Sequence, residues 1–222
     1  MNAADRRAAL QAERAASLTV RLDKLLELHG DERALDVGTG TGALAYALAT
    51  RVAHVVGVDS DAAMIERARM NAPSNVELQI ADGEHLPFEP FSFDLAVTAR
   101  TLHHTARPEL VIAELVRVTK PGGTLLVADQ LAPVDPLAAL ELNRFEKARD
   151  ASTSRLLSDG DLRALFDANN LVLRRDEIVH EQRDLDRYLD LAGCEGDERE
   201  RLRALAPADY EGVVGWYVLA KS

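Results

Sequence analysis

The stretch of residues 33–61 constrains this chain more than any other part of it. Its segments follow the order of a buried strand, a glycine turn, a helix and a second strand: residues 34–37, 38–42, 43–50 and 54–58. The turn contains Gly38, Gly40 and Gly42, and the second strand closes on Asp59. Glycine at a tight turn permits positive φ and lets a ligand approach the backbone. The pattern predicts a βαβ unit that binds a nucleotide-like ligand at the N-terminus of its helix.

An acidic residue just before the turn narrows the choice of ligand. The spacing Gly38-x-Gly40-x-x-Ala43 satisfies the dinucleotide fingerprint, so the glycines alone leave NAD open. Asp36 stands two residues before the first glycine, where its carboxylate would repel a pyrophosphate. The same carboxylate suits a ligand that carries an ammonium and a sulfonium group. The pattern therefore favours a cationic ligand over a dinucleotide.

With these residues the chain resembles the class I S-adenosylmethionine (SAM)-dependent methyltransferases, whose first motif reads acid-x-Gly-x-Gly-x-Gly. The resemblance implies that the turn and Asp36 hold the methionine end of SAM, and that Asp59 takes both ribose hydroxyls. Residues 81–88 resemble the second motif, which implies that Asp82 and Gly83 contact adenine. The cofactor contacts implied in this way are Asp36, Gly38, Thr39, Gly40, Gly42, Asp59, Ser60, Met64, Asp82, Gly83, Glu84 and Arg100.

Two of these positions also have a purely structural interpretation. Met64 stands where the methionine of the family packs against adenine, but a methionine on a helix is as commonly part of the core. Asp82 ends a predicted strand, where an aspartate often starts a turn. The Leu-Pro-Phe sequence at residues 86–88 favours the adenine contact for Asp82.

Two adjacent histidines follow the predicted fourth strand, residues 93–98, at the edge of the sheet where the methyl group would be presented. His103 and His104 are candidate general bases, since imidazole titrates near neutrality. Packing of the loop or contact with the cofactor is the alternative, and similar His-His patterns occur in relatives that act on different substrates. A metal site is not expected, because neighbouring side chains of a helix point apart and the chain has no HExxH motif.

The remaining hydrophobic patterns complete an α/β domain. The further predicted strands are residues 75–80, 124–128, 171–179 and 213–220, and the further predicted helices are residues 61–71, 109–119, 137–150, 162–169 and much of 181–205. The resemblance implies a doubly wound, Rossmann-like sheet of seven strands in the order 3-2-1-4-5-7-6, with the last strand antiparallel. We expect one domain over residues 1–222, with a helical arm at 1–30 and cap insertions at 133–160 and 180–212.

The N-terminal arm has two possible roles. Leucines recur at helical spacing within residues 3–28, at positions 18, 22, 25 and 26, which predicts a helix packed on the sheet. Alternatively the arm closes over the cofactor, but no Phe or Tyr precedes Tyr46 to make the aromatic contact that relatives use. We therefore favour packing.

The first cap insertion is where we expect the acceptor to be chosen. Its helix, residues 137–150, resembles a group of small-molecule methyltransferases (methyltransferase type 11 and ubiquinone-biosynthesis proteins), in which Asn-Arg-x-Glu-Lys-x-Arg-Asp precedes Pro-Ser-His. This chain has Ala151 for the proline and Thr153 for the histidine. Glu146 and Asp150 would repel each other on a solvated face, which favours a buried polar cluster or a substrate site. The residues predicted to border the acceptor are Asp129, Asn143 and Arg149.

Composition excludes several other classes. A net charge of −11 argues against a nucleic-acid partner, which would need Lys and Arg for the phosphates. Cys194 is the single cysteine, so no internal disulfide can form. The charged N-terminus does not resemble a signal peptide, and no apolar run reaches the roughly 20 residues of a membrane-spanning helix. We expect a cytoplasmic protein without membrane contact, and a homodimer stays open.

The predicted function is methyl transfer from SAM to a small-molecule acceptor, giving S-adenosylhomocysteine (SAH). Two alternatives remain open from the sequence. One is a non-catalytic SAM-binding partner or sensor protein, for which the departures in the arm and the cap leave room. The other is an NAD-dependent oxidoreductase, which Asp36 and residues 81–88 disfavour.

Replacement of Asp59 tests the ribose assignment. Asp59→Ala is expected to weaken SAM binding by about 2–4 kcal/mol at most, because two charge-assisted hydrogen bonds are lost. Calorimetric titration of the wild type and the variant with SAM measures the difference. Equal affinity in the two proteins would contradict the assignment.

Overall fold

One mixed β-sheet forms the centre of the computed structural model, which describes residues 18–182, 184–207 and 210–221. The strands found in these residues are β1 (Arg33–Val37), β2 (His54–Asp59), β3 (Val76–Ile80), β4 (Phe93–Ala99), β5 (Thr119–Gln130), β6 (Leu171–Gln182) and β7 (Glu211–Lys221). They pair in the order β3-β2-β1-β4-β5-β7-β6. Strands β1 to β5 run parallel, while β7 lies antiparallel between β5 and β6. The predicted fold class and strand order are confirmed.

Helices cover both faces of this sheet. They are α1 (18–25), α2 (Ala43–Ala49), α3 (Ala62–Arg69), α4 (Pro108–Val118), α5 (Pro136–Arg149), α6 (Asp159–Ala168), α7 (Leu185–Ala192) and α8 (Gly196–Leu205), with a 3₁₀ turn at Leu102–His104. Buried residues of α1 and α2 pack on one face, and those of α4 and α6 pack on the other. Side chains alternate along a strand, so Ala34 of β1 packs with α1 and α2, while Leu35 packs with α4 and α6 on the opposite face.

The described part of the N-terminal arm packs on the sheet. Leu22, Leu25 and Leu26 are all buried, in one cluster with Leu48 of α2 and Trp216 of β7. This agrees with the packing role for the leucines. The rest of the predicted arm, residues 1–17, lies outside the described residues.

Two strands differ in extent from their predicted bounds. Strand β5 begins at Thr119, opposite Phe93, and not at the predicted residue 124, so it includes the Lys-Pro-Gly-Gly sequence at residues 120–123. The register then jumps, and pairing resumes at Thr124 opposite Leu95. Strand β6 extends past its predicted end at residue 179 to Gln182, and it continues through a register shift between Leu173 and Arg175.

A third apolar cluster lies outside the sheet layers and joins the two predicted cap insertions. Phe145 and Leu142 of α5 pack there with Leu189 of α7 and Leu202 of α8. The two insertions, far apart in sequence, thus share one small core. Among the described residues, no helix has the length and apolar character to cross a membrane.

A buried ionic cluster fastens α5 to its surroundings. The Glu146 carboxylate accepts hydrogen bonds from Gln130 Nε2 (2.9 Å), from Tyr210 Oη (2.9 Å) and from Arg149 Nε and Nη2 (2.9 and 2.8 Å). Arg149 also stacks over the Tyr188 ring at 4.2 Å. Burial opposes the charge of Arg149, but Tyr188 and Glu146 outweigh it and raise its pKa. The like charges of the α5 sequence are therefore explained by a buried polar cluster.

Removing the charge of Glu146 is expected to destabilise the protein. Glu146→Gln would leave the Arg149 guanidinium without its counter-ion, and breaking a buried pair in this way costs about 3–5 kcal/mol. Urea unfolding measures the free energy of unfolding. Glu141→Gln, on the exposed face of the same helix, is the matched control. An equal change in the free energy of unfolding for the two substitutions would show that the buried cluster does not contribute to stability.

Candidate active site

The carboxyl ends of the parallel strands surround a cavity of about 450 Å³. Nine of the twelve predicted cofactor contacts lie on its wall: Gly38, Gly40, Asp59, Ser60, Met64, Asp82, Gly83, Glu84 and Arg100. Asp36, Thr39 and Gly42 lie behind this wall. The topology thus brings most of the predicted contacts together, although they come from four separate strand ends.

The glycine turn has no space for side chains. Gly38 has a φ of +75°, and a Cβ there would lie 2.1 Å from Thr101 Oγ1. Gly42 has a φ of +91°, and a Cβ there would lie 2.4 Å from the ring of Tyr46. Both positions therefore require glycine for conformation and for space. The turn is packed against the segment after β4 on one side and against α2 on the other.

Asp36 lies beneath the turn and not on the cavity wall. Only 1% of its surface is exposed, and its Oδ2 accepts a hydrogen bond from Thr39 Oγ1 at 2.7 Å. Burial raises the pKa of Asp36 to about 7; the hydrogen bond from Thr39 opposes this shift, and the nearby charge of Asp59 adds to it. Thr39 is also buried and donates to this carboxylate. Both residues therefore support the turn from below and do not border the cavity.

Asp59 orders the same turn from the end of β2. Its Oδ2 accepts the Gly40 N–H at 2.8 Å and its Oδ1 accepts the Asp61 N–H at 2.9 Å. The Asp61 side chain in turn caps α3 by accepting the Ala63 N–H. A carboxylate held from both sides in this way keeps a fixed direction on the wall of the cavity.

The segment after β3 forms the opposite wall. Asp82 is exposed there, and its Oδ1 accepts the Glu84 N–H at 2.9 Å. The Glu84 carboxylate accepts hydrogen bonds from the backbone and side chain of Arg107. Met64 is 4% exposed and still borders the cavity, so it belongs to the core and to the wall at once.

Arg100 enters the cavity from an unusual backbone conformation. Its φ is 56°, which is uncommon for a residue with a side chain, and its N–H donates to the Ala128 carbonyl at 2.7 Å. Its guanidinium pairs with Glu181 at 2.5 Å, near the end of β6. This pair connects the cavity wall to the start of the second cap insertion.

The two predicted histidines have different positions. His104 and Ser152 line the cavity, whereas His103 is not among the residues of its wall. The backbone N–H of His103 donates to Asp129 Oδ2 at 3.0 Å, and its Nδ1 bonds the other carboxylate oxygen. His103 lowers the pKa of the Asp129 carboxyl, which burial alone would raise.

The three predicted acceptor contacts lie off the cavity wall. Asp129 is 3% exposed and faces His103. Asn143 bonds the backbone of Ala139 and Leu156, and Arg149 belongs to the cluster of Glu146. Their side chains bond to other parts of the protein, and their contact with the acceptor stays a prediction.

Ser152 is one of the wall residues that sequence reasoning did not identify as site residues. Its Oγ lies 3.0 Å from His104 Nδ1. The signal was present, since Asp150 and Ser152 are the two residues of the cap motif that remain on either side of the substituted Ala151. Only the fold places them beside a histidine 48 positions earlier.

The chemistry of this wall fits SAM. The carboxylates of Asp59 and Asp82 lie on this wall and offer acceptors for hydroxyl, amino and cationic groups. The buried Asp36 carboxyl lies beneath the turn, and its ionised form would disfavour a pyrophosphate there. Among the described residues, no group of three or more His, Cys, Asp or Glu side chains could hold a metal ion.

Comparison with known proteins agrees with this site. Residues 35–127 match a family model described as a methyltransferase domain. The uncharacterized methyltransferase YcgJ of Bacillus subtilis (strain 168) is 34% identical over 152 residues, which cover 67% of this chain and 60% of that protein. A demethylmenaquinone methyltransferase of Clavibacter sepedonicus is 32% identical over 184 residues, covering 82% of this chain and 73% of that protein. A crystal structure of a methyltransferase candidate from Bacillus halodurans C-125 matches with a TM-score of 0.86 at 25% identity, over 91% of this chain and 98% of that one.

Asp36→Asn is expected to flatten the pH dependence of stability. The folded-state pKa of about 7 lies above the ordinary 3.8, so the stabilisation from the protonated carboxyl is complete below about pH 4 and is lost as the pH rises to about 7. A shift of this size corresponds to about 4 kcal/mol at most, and about 3 kcal/mol of it falls between pH 5 and pH 8. The variant, which cannot ionise, should therefore gain stability over the wild type across that interval.

Urea unfolding of the ligand-free proteins at the two pH values measures this gain. Asp31→Asn, at an exposed position before β1, is the control. If the difference between wild type and Asp36→Asn did not change with pH, Asp36 would already be ionised at the lower pH.

Proposed function

Because the chain belongs to the class I SAM-dependent methyltransferases, we propose that it transfers a methyl group from SAM to a small-molecule acceptor, with SAH as the second product. The observation that carries the proposal is the meeting of the glycine turn, Asp59 and the Asp82–Gly83 segment around one cavity of about 450 Å³. These groups come from separate strand ends, and each suits a different part of SAM.

The residues of the wall would hold SAM in a single orientation. The turn at Gly38 and Gly40 would lie against its methionine end, Asp59 would accept the ribose hydroxyls, and Asp82 with Gly83 would contact adenine. When bound, SAM supplies a methyl group on a positively charged sulfur, which leaves as a neutral thioether. The chain therefore needs mainly to orient the acceptor in line with that group.

The buried carboxyl of Asp36 supports a cationic ligand. Burial keeps its pKa near 7 in the structure without ligand, so the group is partly protonated at neutral pH. A positive charge close to the turn would favour the ionised carboxylate, because opposite charges attract strongly in a poorly solvated site. Binding of SAM would thus lower the pKa of Asp36, and a pyrophosphate would raise it.

A small-molecule acceptor is favoured by the relatives and by the wall itself. The relative from Clavibacter sepedonicus is named for demethylmenaquinone, a small molecule. On the acceptor side the cavity is bordered by Arg100, His104 and Ser152, and a cavity of this size is typical of small-ligand sites. The chain spans 60% of the length of the Bacillus subtilis relative, so the activity of that whole protein is not transferred to this one.

Parallel titrations test the proposal. Calorimetry with SAM, SAH and NAD is expected to give micromolar binding of SAM and SAH and no binding of NAD. Incubation with SAM and a mixed panel of small acceptors should then accumulate SAH. Binding of NAD without SAM would instead support an oxidoreductase, and SAM binding without SAH formation across the panel would support a non-catalytic SAM-binding protein.

A further inference from the structure

The two adjacent histidines have different hydrogen-bond partners and therefore different roles. His103 is bonded to Asp129 through its backbone N–H and through Nδ1. Its carbonyl accepts the N–H groups of Ser154 and Arg155, at 2.8 and 3.2 Å. His103 thus joins the end of β5 to the loop after α5, and it does not border the cavity. Its side chain and backbone act together as a clamp on that loop.

His104 is exposed and borders the cavity beside Ser152. Its Nδ1 lies 3.0 Å from Ser152 Oγ, and the same Oγ donates to Asp150 Oδ1 at 2.6 Å. A hydroxyl has one proton to donate, and here the Asp150 carboxylate accepts it. The Ser152 oxygen must therefore accept from His104, which places a proton on Nδ1 and leaves Nε2 with its lone pair. This tautomer follows from the direction of the hydrogen bonds.

The surroundings of His104 keep its imidazole neutral. Burial of its inner face and the neighbouring His103 lower its pKa to about 4, while the Ser152 backbone and the carboxylates of Asp150 and Asp129 oppose the shift. Solvent reaches the exposed ring and weakens these effects, but the direction remains downward. A neutral imidazole can accept a proton at the pH of the cell.

We propose that Asp150 and Ser152 are positioning residues that hold His104 with Nε2 unprotonated, so that this nitrogen takes the proton from a hydroxyl group on the methyl acceptor. The inference rests on the proposed function and adds the acceptor class and the route of the proton. In the transfer, an electron pair of the hydroxyl oxygen forms the new O–C bond, and the electron pair of the broken C–S bond stays on sulfur. The O–H proton moves to Nε2 of His104, which becomes an imidazolium and later releases the proton to solvent.

A weak base suits a particular kind of hydroxyl. Phenolic and enolic hydroxyls are more acidic than those of ordinary alcohols, so they need less help to lose a proton. A carboxylic acid is already ionised at neutral pH and would gain nothing from His104. The arrangement therefore favours a phenolic or enolic acceptor that stays protonated until the methyl group is transferred.

Nitrogen-15 NMR of the labelled full-length protein tests the positioning directly and needs no acceptor. The signals of His104 are assigned by their loss in His104→Gln. The wild type is expected to hold the Nδ1–H tautomer, and Ser152→Ala is expected to shift His104 toward a mixture of the two tautomers. Ser154→Ala, an exposed serine of the same loop, is the matched control and should leave the tautomer unchanged. An Nε2–H tautomer in the wild type, or the same tautomer in Ser152→Ala, would overturn the proposal.

Turnover provides the second measurement, with catechol and a nitro-substituted catechol as probes. With catechol, His104→Gln is expected to lower kcat about 100-fold, as the loss of a general base does, and Ser152→Ala about 10-fold. With the nitro-substituted catechol, which ionises more readily, the loss should largely disappear at alkaline pH. Equal losses with both probes would contradict a role in proton transfer.

The two proposals fail separately. Affinity for SAM, measured in the same preparations, reports on the proposed function, while the tautomer reports on the positioning of His104. SAM binding with an Nε2–H tautomer would overturn only the inference about His104. The Nδ1–H tautomer without binding of SAM would overturn methyl transfer, and with it the proton route, while the contact among Asp150, Ser152 and His104 would stand.

Discussion

The backbone turn between β1 and α2 is the constraint on which the site depends. Val58 accepts the N–H groups of Gly38 and Thr39 at 2.8 and 2.9 Å, and Asp59 accepts that of Gly40. Thr101, after β4, fills the space where a side chain of Gly38 would lie. Three strand ends are therefore held together by contacts that tolerate no added atoms. Gly38, Gly40 and Thr101 also line the cavity, so the packing of the turn shapes its wall.

Burying the Asp36 carboxyl beneath the turn destabilises its charged form, and the same buried charge would favour a cationic ligand. The Asp36 carboxyl is buried beneath the turn with Thr39 as its hydrogen-bond donor, and its raised pKa means that folding works against its charge. A cationic ligand would relieve that unfavourable state. Stability and affinity are opposed at this position, as is common where a functional group is held out of water. An uncharged amide in its place would suit the fold and weaken the site.

The cap is held by interactions of a different kind. Glu146 collects four hydrogen bonds from Gln130, Tyr210 and Arg149, which belong to different elements. A half-satisfied cluster of buried charges would destabilise the cap, so its complete pairing fixes how α5 sits beside β5. The clamp of His103 and Asp129 continues this line of contacts to the cavity. His104 can be exposed to an acceptor because its neighbour holds the loop.

The sequence by itself determined the central strands and helices and the glycine turn, because periodicity and glycine spacing are expressed within a few residues. The strand order and the contacts expected of Asp59 and Asp82 came from the resemblance to the family, and the structure has that strand order and places both residues on the cavity wall. The tertiary structure decided the rest. It paired Asp129 with His103 and Asn143 with the backbone of Leu156, and it placed Ser152 beside His104. A polar side chain looks the same in sequence whether it meets a ligand or a distant partner, and only packing settles which of the two it meets.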